Sequence, residues 1–142
     1  LPALQVVEPF TLVHASPRQP VWEYLLDEGA AAQNFLLLDT PYCFVGHTHT
    51  PVIFTETTLG KCEASYPAYN ESINLGEQRL IINPGSVGQP RDSDPRAAYG
   101  ILDSDALTWQ HRRVVYNVEE TQARMRSHGL PHRLIARLEL GW

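Results

Sequence analysis

Basic residues are scarce in this chain: 11 Lys and Arg stand against 16 Asp and Glu, a formal net charge of -5 over 142 residues. With no basic cluster to offset it, that balance argues against a nucleic-acid backbone or an anionic membrane as main partner. No apolar run reaches bilayer-spanning length, so a soluble protein is expected. Cysteine is limited to Cys43 and Cys62, too few for a disulfide framework. Both read as reduced core residues, which fits a cytoplasmic location. Internal repeats, low-complexity tracts and interdomain linkers are absent, so residues 1–142 read as a single domain. The opening Leu1-Pro2-Ala3-Leu4 carries neither an initiator Met nor a signal-peptide pattern, and reads as the middle of something longer. What is present, 43% hydrophobic and 19% charged residues, describes a globular chain able to bury a core.

The order of elements is β, α, β, then a run of strands, then helices, one α/β unit. Leu4 to Glu8 and Phe10 to His14 read as strands joined tightly at Pro9. Pro20 to Leu26 and then Asp27 to Leu38 read as helix, with Trp22, Leu25 and Leu26 at i, i+3 and i+4 forming a core stripe. Tyr42 to Val45 is a short buried strand. Val52 to Glu56, Leu80 to Ile82, Ala97 to Asp103 and Leu107 to Tyr116 are further strands. Residues 60–76 read as loops and short edge strands, and Asp103 to Ala106 as a hairpin connection. Asn117 with Glu120 three residues on predicts a helix start, Gly129 its stop, and Pro131 a last helix with Leu134, Ile135 and Leu138 on one face.

The chemistry concentrates in Gly46-His47-Thr48-His49, directly after the Tyr42–Val45 strand. On an extended backbone residues i and i+2 point the same way, so both imidazoles can face one small volume. Imidazole nitrogen suits Zn, Fe, Ni or Mn, and glycine at position 46 lets the backbone turn closely beneath a bound ion. His14 also follows an apolar strand, where α/β folds place their chemistry; alone it would read as a hydrogen-bonded, half-buried residue. His111, His128 and His132 sit mid-strand or in the polar tail and read as solvent-facing or incidental. Two arrangements stay open. His14, His47 and His49 could hold one ion with an open position, with Asp39 or Asp92 behind a ligand. Alternatively, two ions about 3.5–4 Å apart could share the histidines, which requires carboxylates to offset the charge. No acid in the chain lies in an obvious paired motif.

Three segments taken in order, Val13-His14-Ala15-Ser16-Pro17, Val45-Gly46-His47-Thr48-His49-Thr50-Pro51 and Asn83-Pro84-Gly85-Ser86-Val87-Gly88-Gln89-Pro90-Arg91, resemble the calcineurin-like metallophosphoesterase superfamily. Their order and spacing are similar to its small bacterial and archaeal phosphodiesterase-type branch, and Ala97 to Asp103 continues the match. Ala15 stands where many members have glycine. The Asp-x-His, Gly-Asp-x-x-Asp and Gly-Asn-His motifs of the family's first half do not occur here, so the chain resembles the carboxyl-terminal half.

The resemblance implies a four-layer α/β/β/α sandwich and hydrolysis of phosphate esters by a metal-bound hydroxide at a centre of two divalent ions, Mn, Fe, Zn or Ni. It implies that His14 and His47 bind one ion and His49 the other, and that the Asn83-to-Arg91 loop borders the substrate site, with Asn83 and Ser86 as weaker candidates for supporting contacts. The bridging aspartate, remaining ligands and leaving-group acid would come from the upstream half of the same domain, so the isolated chain is expected to be inactive. From a different class, the chain could be a non-catalytic fragment or a partner subunit supplying part of a metal site. A half-sandwich on its own is further expected to be insoluble or dimeric.

Overall fold

The structure, a computed structural model, describes residues 2–142. Strands β1 (Leu4–Val7) and β2 (Phe10–Val13) form an antiparallel hairpin. After helix α1 (Glu28–Phe35), strand β3 (Tyr42–Phe44) runs parallel to β2. Strands β4 (Val52–Thr58) and β5 (Lys61–Ser65) follow as a hairpin, with β6 (Ser72–Asn74), β7 (Leu80–Asn83), β8 (Ala97–Asp103) and β9 (Thr108–Val114) after it. Helices α2 (Val118–Ser127) and α3 (His132–Leu140) close the chain. The strands form a six-stranded sheet, β1-β2-β3-β7-β4-β5, and a three-stranded one, β6-β9-β8.

Period-two patterning builds the layers. In β3, Cys43 faces the helix side while Tyr42 and Phe44 face the second sheet; in β7, Ile81 faces the helix side and Leu80 and Ile82 the second sheet; in β4, Phe54 and Ile53 divide the same way. One core therefore lies between α1 and the large sheet, made by Val13, Leu25, Ala31, Phe35, Cys43, Phe54 and Ile81. The other lies between the sheets, where Phe10, Tyr42, Ile53, Leu80 and Ile82 meet Leu75 and Trp109. Full burial of an apolar side chain such as Phe54 or Ile81 contributes about 1.5–3 kcal/mol. This is the α/β sandwich expected from the sequence, and Cys43 and Cys62 are both free thiols.

Helix ends follow their chemistry. Asp27 caps α1 by accepting from the Ala30 amide, and Asn117 caps α2 by accepting from Glu120. Gly129 takes the left-handed φ of 68° just beyond α2, and Ile135 and Leu138 are the buried face of α3.

Two expectations fail. The helix does not begin at Pro20: residues 20–26 are irregular, Leu25 alone is buried, and Trp22 and Leu26 are 76% and 63% exposed. A long-range anchor overrides the helical spacing. The Glu23 carboxylate accepts from the Ser16 hydroxyl, the Arg18 guanidinium and the Asn34 amide, which fixes the segment from both ends. Burial alone would raise the Glu23 pKa, but those hydrogen bonds outweigh it and hold the carboxyl below its ordinary value. His111, expected at the surface, is 2% exposed in the inter-sheet layer, stacked on Trp109 at 6.0 Å between ring centroids. Its strand position, two residues from Trp109, puts it on the inward face. His128 and His132 are exposed as expected.

Candidate metal centre

The central strands β2, β3 and β7 are parallel neighbours, so their carboxyl ends open at one edge of the sheet. That edge receives His14 from β2, the Gly46–His49 loop from β3 and the Asn83–Arg91 loop from β7. Backbone hydrogen bonds stitch the three together: Gly46 N–H donates to the His14 carbonyl (2.9 Å), Val45 N–H to Ile82 (2.9 Å) and Arg91 N–H to His49 (3.2 Å). Ligands at such an edge are the rule for open α/β sheets.

The local geometry differs from the extended strand expected. Gly46 does not take a left-handed backbone; His47 and His49 do, with φ of 62° and 63°. For non-glycine residues this conformation costs on the order of 1–3 kcal/mol each, and it persists only where the surroundings over-determine it. Asn83 supplies that constraint. Fully buried, it donates through its side-chain amide to the Gly46 carbonyl (2.9 Å) and the Thr48 hydroxyl (2.8 Å), and accepts from the Gly85 N–H (2.9 Å). Glycine is required at 85: φ is 90°, and an added Cβ would lie 2.9 Å from both Ala98 and Pro51 side chains. Ser86 accepts from the Gln89 N–H through its hydroxyl (3.0 Å), which shapes the same loop.

His14 and His47 come together. His14 Nε2 and His47 Nδ1 are 3.0 Å apart, and the Tyr24 ring packs on His47 at 4.4 Å between centroids. His47 Nε2 is buried with no hydrogen-bond partner. The His49 ring turns elsewhere and donates from Nδ1 to the Gln89 carbonyl (2.8 Å), which leaves the lone pair on Nε2. A backbone carbonyl thus holds His49 in place of a carboxylate. Asp92 pairs with Arg113 instead, and Asp39 lines a separate depression with Leu4, Thr11 and Pro17. Burial pushes the His47 imidazole below its ordinary pKa, with His14 and Arg91 adding to the effect. Burial lowers His49 as well; the Gln89 carbonyl opposes it, and Arg91, His47 and Arg137 reinforce it. Both shifts favour the neutral imidazole, the form that keeps a lone pair for a metal ion. An open depression of about 480 Å³ adjoins the site, lined by His14, Gly46, Val45, Leu12, Phe44 and Pro84.

The donor set fits a divalent ion in part. His14 Nε2 and His47 Nδ1 converge at 3.0 Å, in hydrogen-bond contact with each other, and imidazole nitrogens are of the kind that bind divalent ions. Among the described residues, however, no group of three or more His, Cys, Asp or Glu side chains gathers into a metal site. The histidines alone would leave the charge of such an ion uncompensated. Tyr24 is a neighbour for which the sequence suggested no role; Arg91 closes the third motif, the loop expected to border the substrate, as its only basic residue.

No family model matches the chain. It is 34% identical over 130 residues to an uncharacterized protein of Methanocaldococcus jannaschii, covering 90% of this chain and 50% of that protein. The crystal structure of a metallophosphoesterase from Sphaerobacter thermophilus superposes with a TM-score of 0.95 at 46% identity, over 100% of this chain and 59% of that one. A hypothetical protein from Pyrococcus horikoshii OT3 shares the fold, with a TM-score of 0.71 at 19% identity, over 100% of this chain and 52% of that one. The chain thus spans about half the length of the relatives it matches.

Proposed function

We propose that this chain, which has the fold of the carboxyl-terminal half of a calcineurin-like metallophosphoesterase domain, supplies the histidine wall of a metal-dependent phosphate-ester hydrolase. The reading rests on one observation above the others. The three parallel strand ends bring His14 to 3.0 Å from His47, whose second ring nitrogen is buried and unpartnered. In the whole domain His14 and His47 would hold one divalent ion and His49 a second, the upstream half contributing the carboxylates. Such ions polarise phosphoryl oxygens and offset their charge. The chain's own part is to favour the neutral form of His47 and His49 by burial, orient His49 through Gln89, and clamp the loop through Asn83. Phosphate mono- and diesters are the substrate class, and the two free thiols fit a reducing cytoplasm. Among the described residues no helix is long and apolar enough to cross a membrane.

A second reading has its own support: with no three-ligand group among the described residues, the chain alone is a non-catalytic part of a shared site. One experiment addresses both. The 142-residue chain, with and without its upstream polypeptide, is incubated with Mn²⁺, and metal content and hydrolysis of a phosphodiester and a phosphomonoester are measured. We expect stoichiometric metal and turnover only when both parts are present. Full activity of the chain alone would refute the view that essential ligands lie upstream. Absence of metal even with both parts would remove the metal site.

A further inference from the structure

Among the described residues Arg91, Arg112 and Arg137 are the half-buried arginines without an Asp or Glu partner, and Arg91 differs from all the others in having a buried N–H with no acceptor. Arg79 is paired with Glu56, Arg96 with Asp94, and Arg113 with Asp92 and Asp94. Among the described residues Arg91 has no carboxylate partner. The acid next to it in sequence, Asp92, is taken by Arg113. The Arg91 guanidinium donates through Nη2 to the neutral Gln89 side-chain oxygen (3.1 Å), and its Nε is buried without an acceptor. An unmet N–H in the interior is destabilising and uncommon in folded proteins. The Arg91 backbone N–H donates to the His49 carbonyl, which ties this residue to the histidine edge. The charged side chains that act on His47 and His49 are arginines, Arg91 on both and Arg137 on His49, although the chain as a whole is acidic. A local positive field in an acidic protein concentrates anions at that place.

We infer that Arg91 is the substrate-binding residue that holds the phosphate group at the histidine edge, its free N–H groups donating to phosphoryl oxygens as the planar guanidinium does to oxyanions generally. No bond is made or broken by Arg91 in this role; it orients the phosphate and offsets its charge. The inference rests on the phosphoesterase reading above and adds a residue and a ligand group to it. The Gln89 contact fixes where the guanidinium lies, since the same residue orients His49 through its carbonyl.

The test uses the full-length protein carrying this chain, loaded with Mn²⁺, and inorganic phosphate as probe. Phosphate affinity by titration calorimetry, metal content, KM, kcat and thermal melting are compared for wild type, Arg91→Ala and Arg91→Lys. Loss of a charge-assisted hydrogen bond predicts phosphate binding weakened about 10- to 100-fold in Arg91→Ala, with metal stoichiometry retained and KM raised in step. Arg91→Lys should recover part of the affinity. Unchanged phosphate affinity in Arg91→Ala would overturn the inference. So would a lowered melting temperature with unchanged affinity, the signature of an ion pair to an acid of the upstream half. If Arg91→Ala does not fold, Arg91→Lys decides: affinity equal to wild type, with no change in KM, overturns the inference. Failure of the underlying reading looks different, because wild type itself would then bind no metal and hydrolyse no phosphate ester. Phosphate binding that still depends on Arg91 would leave the anion site standing.

Discussion

The same three strands, β2, β3 and β7, build two unlike regions. Along their length, Cys43, Ile81 and Val13 pack with Phe54, Phe35 and Leu25 under α1 in a layer of matched apolar contacts. A few residues further, at the carboxyl ends, the chain takes left-handed φ values at His47 and His49 and leaves buried nitrogens of His47 and Arg91 unpartnered. Shape complementarity and hydrogen-bond satisfaction hold in the first region and are relaxed in the second. Local strain and unmet donors survive because the core below and Asn83 beside them leave the loops no better arrangement, the pattern expected where a protein keeps groups ready for a ligand.

Substitutions should separate the two regions cleanly. The largest effect belongs to the core: Phe54→Ala leaves a cavity under α1 and should cost about 3–5 kcal/mol in urea unfolding. Any metal binding should weaken only as far as the protein unfolds. Asn83→Ala acts on both regions, stripping donors from Gly46 and Thr48 and the acceptor from Gly85. A loss of about 2–3 kcal/mol is expected, together with reduced metal retention in the folded protein, read by mass spectrometry of bound metal. If Asn83→Ala lowered stability but held metal as well as wild type, the clamp would not govern the histidines. His47→Gly reverses the order. Relief of a left-handed φ offsets the lost His14 contact, so stability should stay within about 0.5 kcal/mol or rise, while metal binding collapses. A large destabilisation there would show that the loop is packed rather than strained.

The smallest effect is a pH dependence from His111, where burial first, and Arg113 after it, push the imidazole below its ordinary value of 6.5. The unfolded chain then takes up the proton at a higher pH than the folded one. Stability is full above 6.5 and falls as pH drops below it toward the lower folded value. Melting temperatures measured from about pH 7.5 down to about pH 5 should decline less steeply for His111→Phe than for wild type. Because His47 and His49 contribute with the same sign, the difference between the two slopes is the quantity to read.

Much of the fold was legible beforehand. The strands at Phe10, Tyr42, Val52, Leu80, Ala97 and Thr108 and the caps at Asn117 and Gly129 follow from alternation, β-branching and turn residues, all local properties. The helix at Pro20 was not, because a 3.6-residue apolar spacing carries no information about Glu23 finding Ser16, Arg18 and Asn34. His111 was misread because its polarity was weighed above its position, two residues from Trp109 on the same face of the strand.

The sequence by itself determined that His14, His47 and His49 would follow apolar strands, since hydrophobic runs ending in Gly, Pro and His are a local pattern. Only the tertiary structure decided that β2, β3 and β7 lie side by side and parallel. That pairing places His14 against His47, Asn83 beneath their loop and an arginine without a carboxylate beside them. Adjacency of strands far apart in the chain is set by burial of two sheet faces at once, and no single segment encodes it.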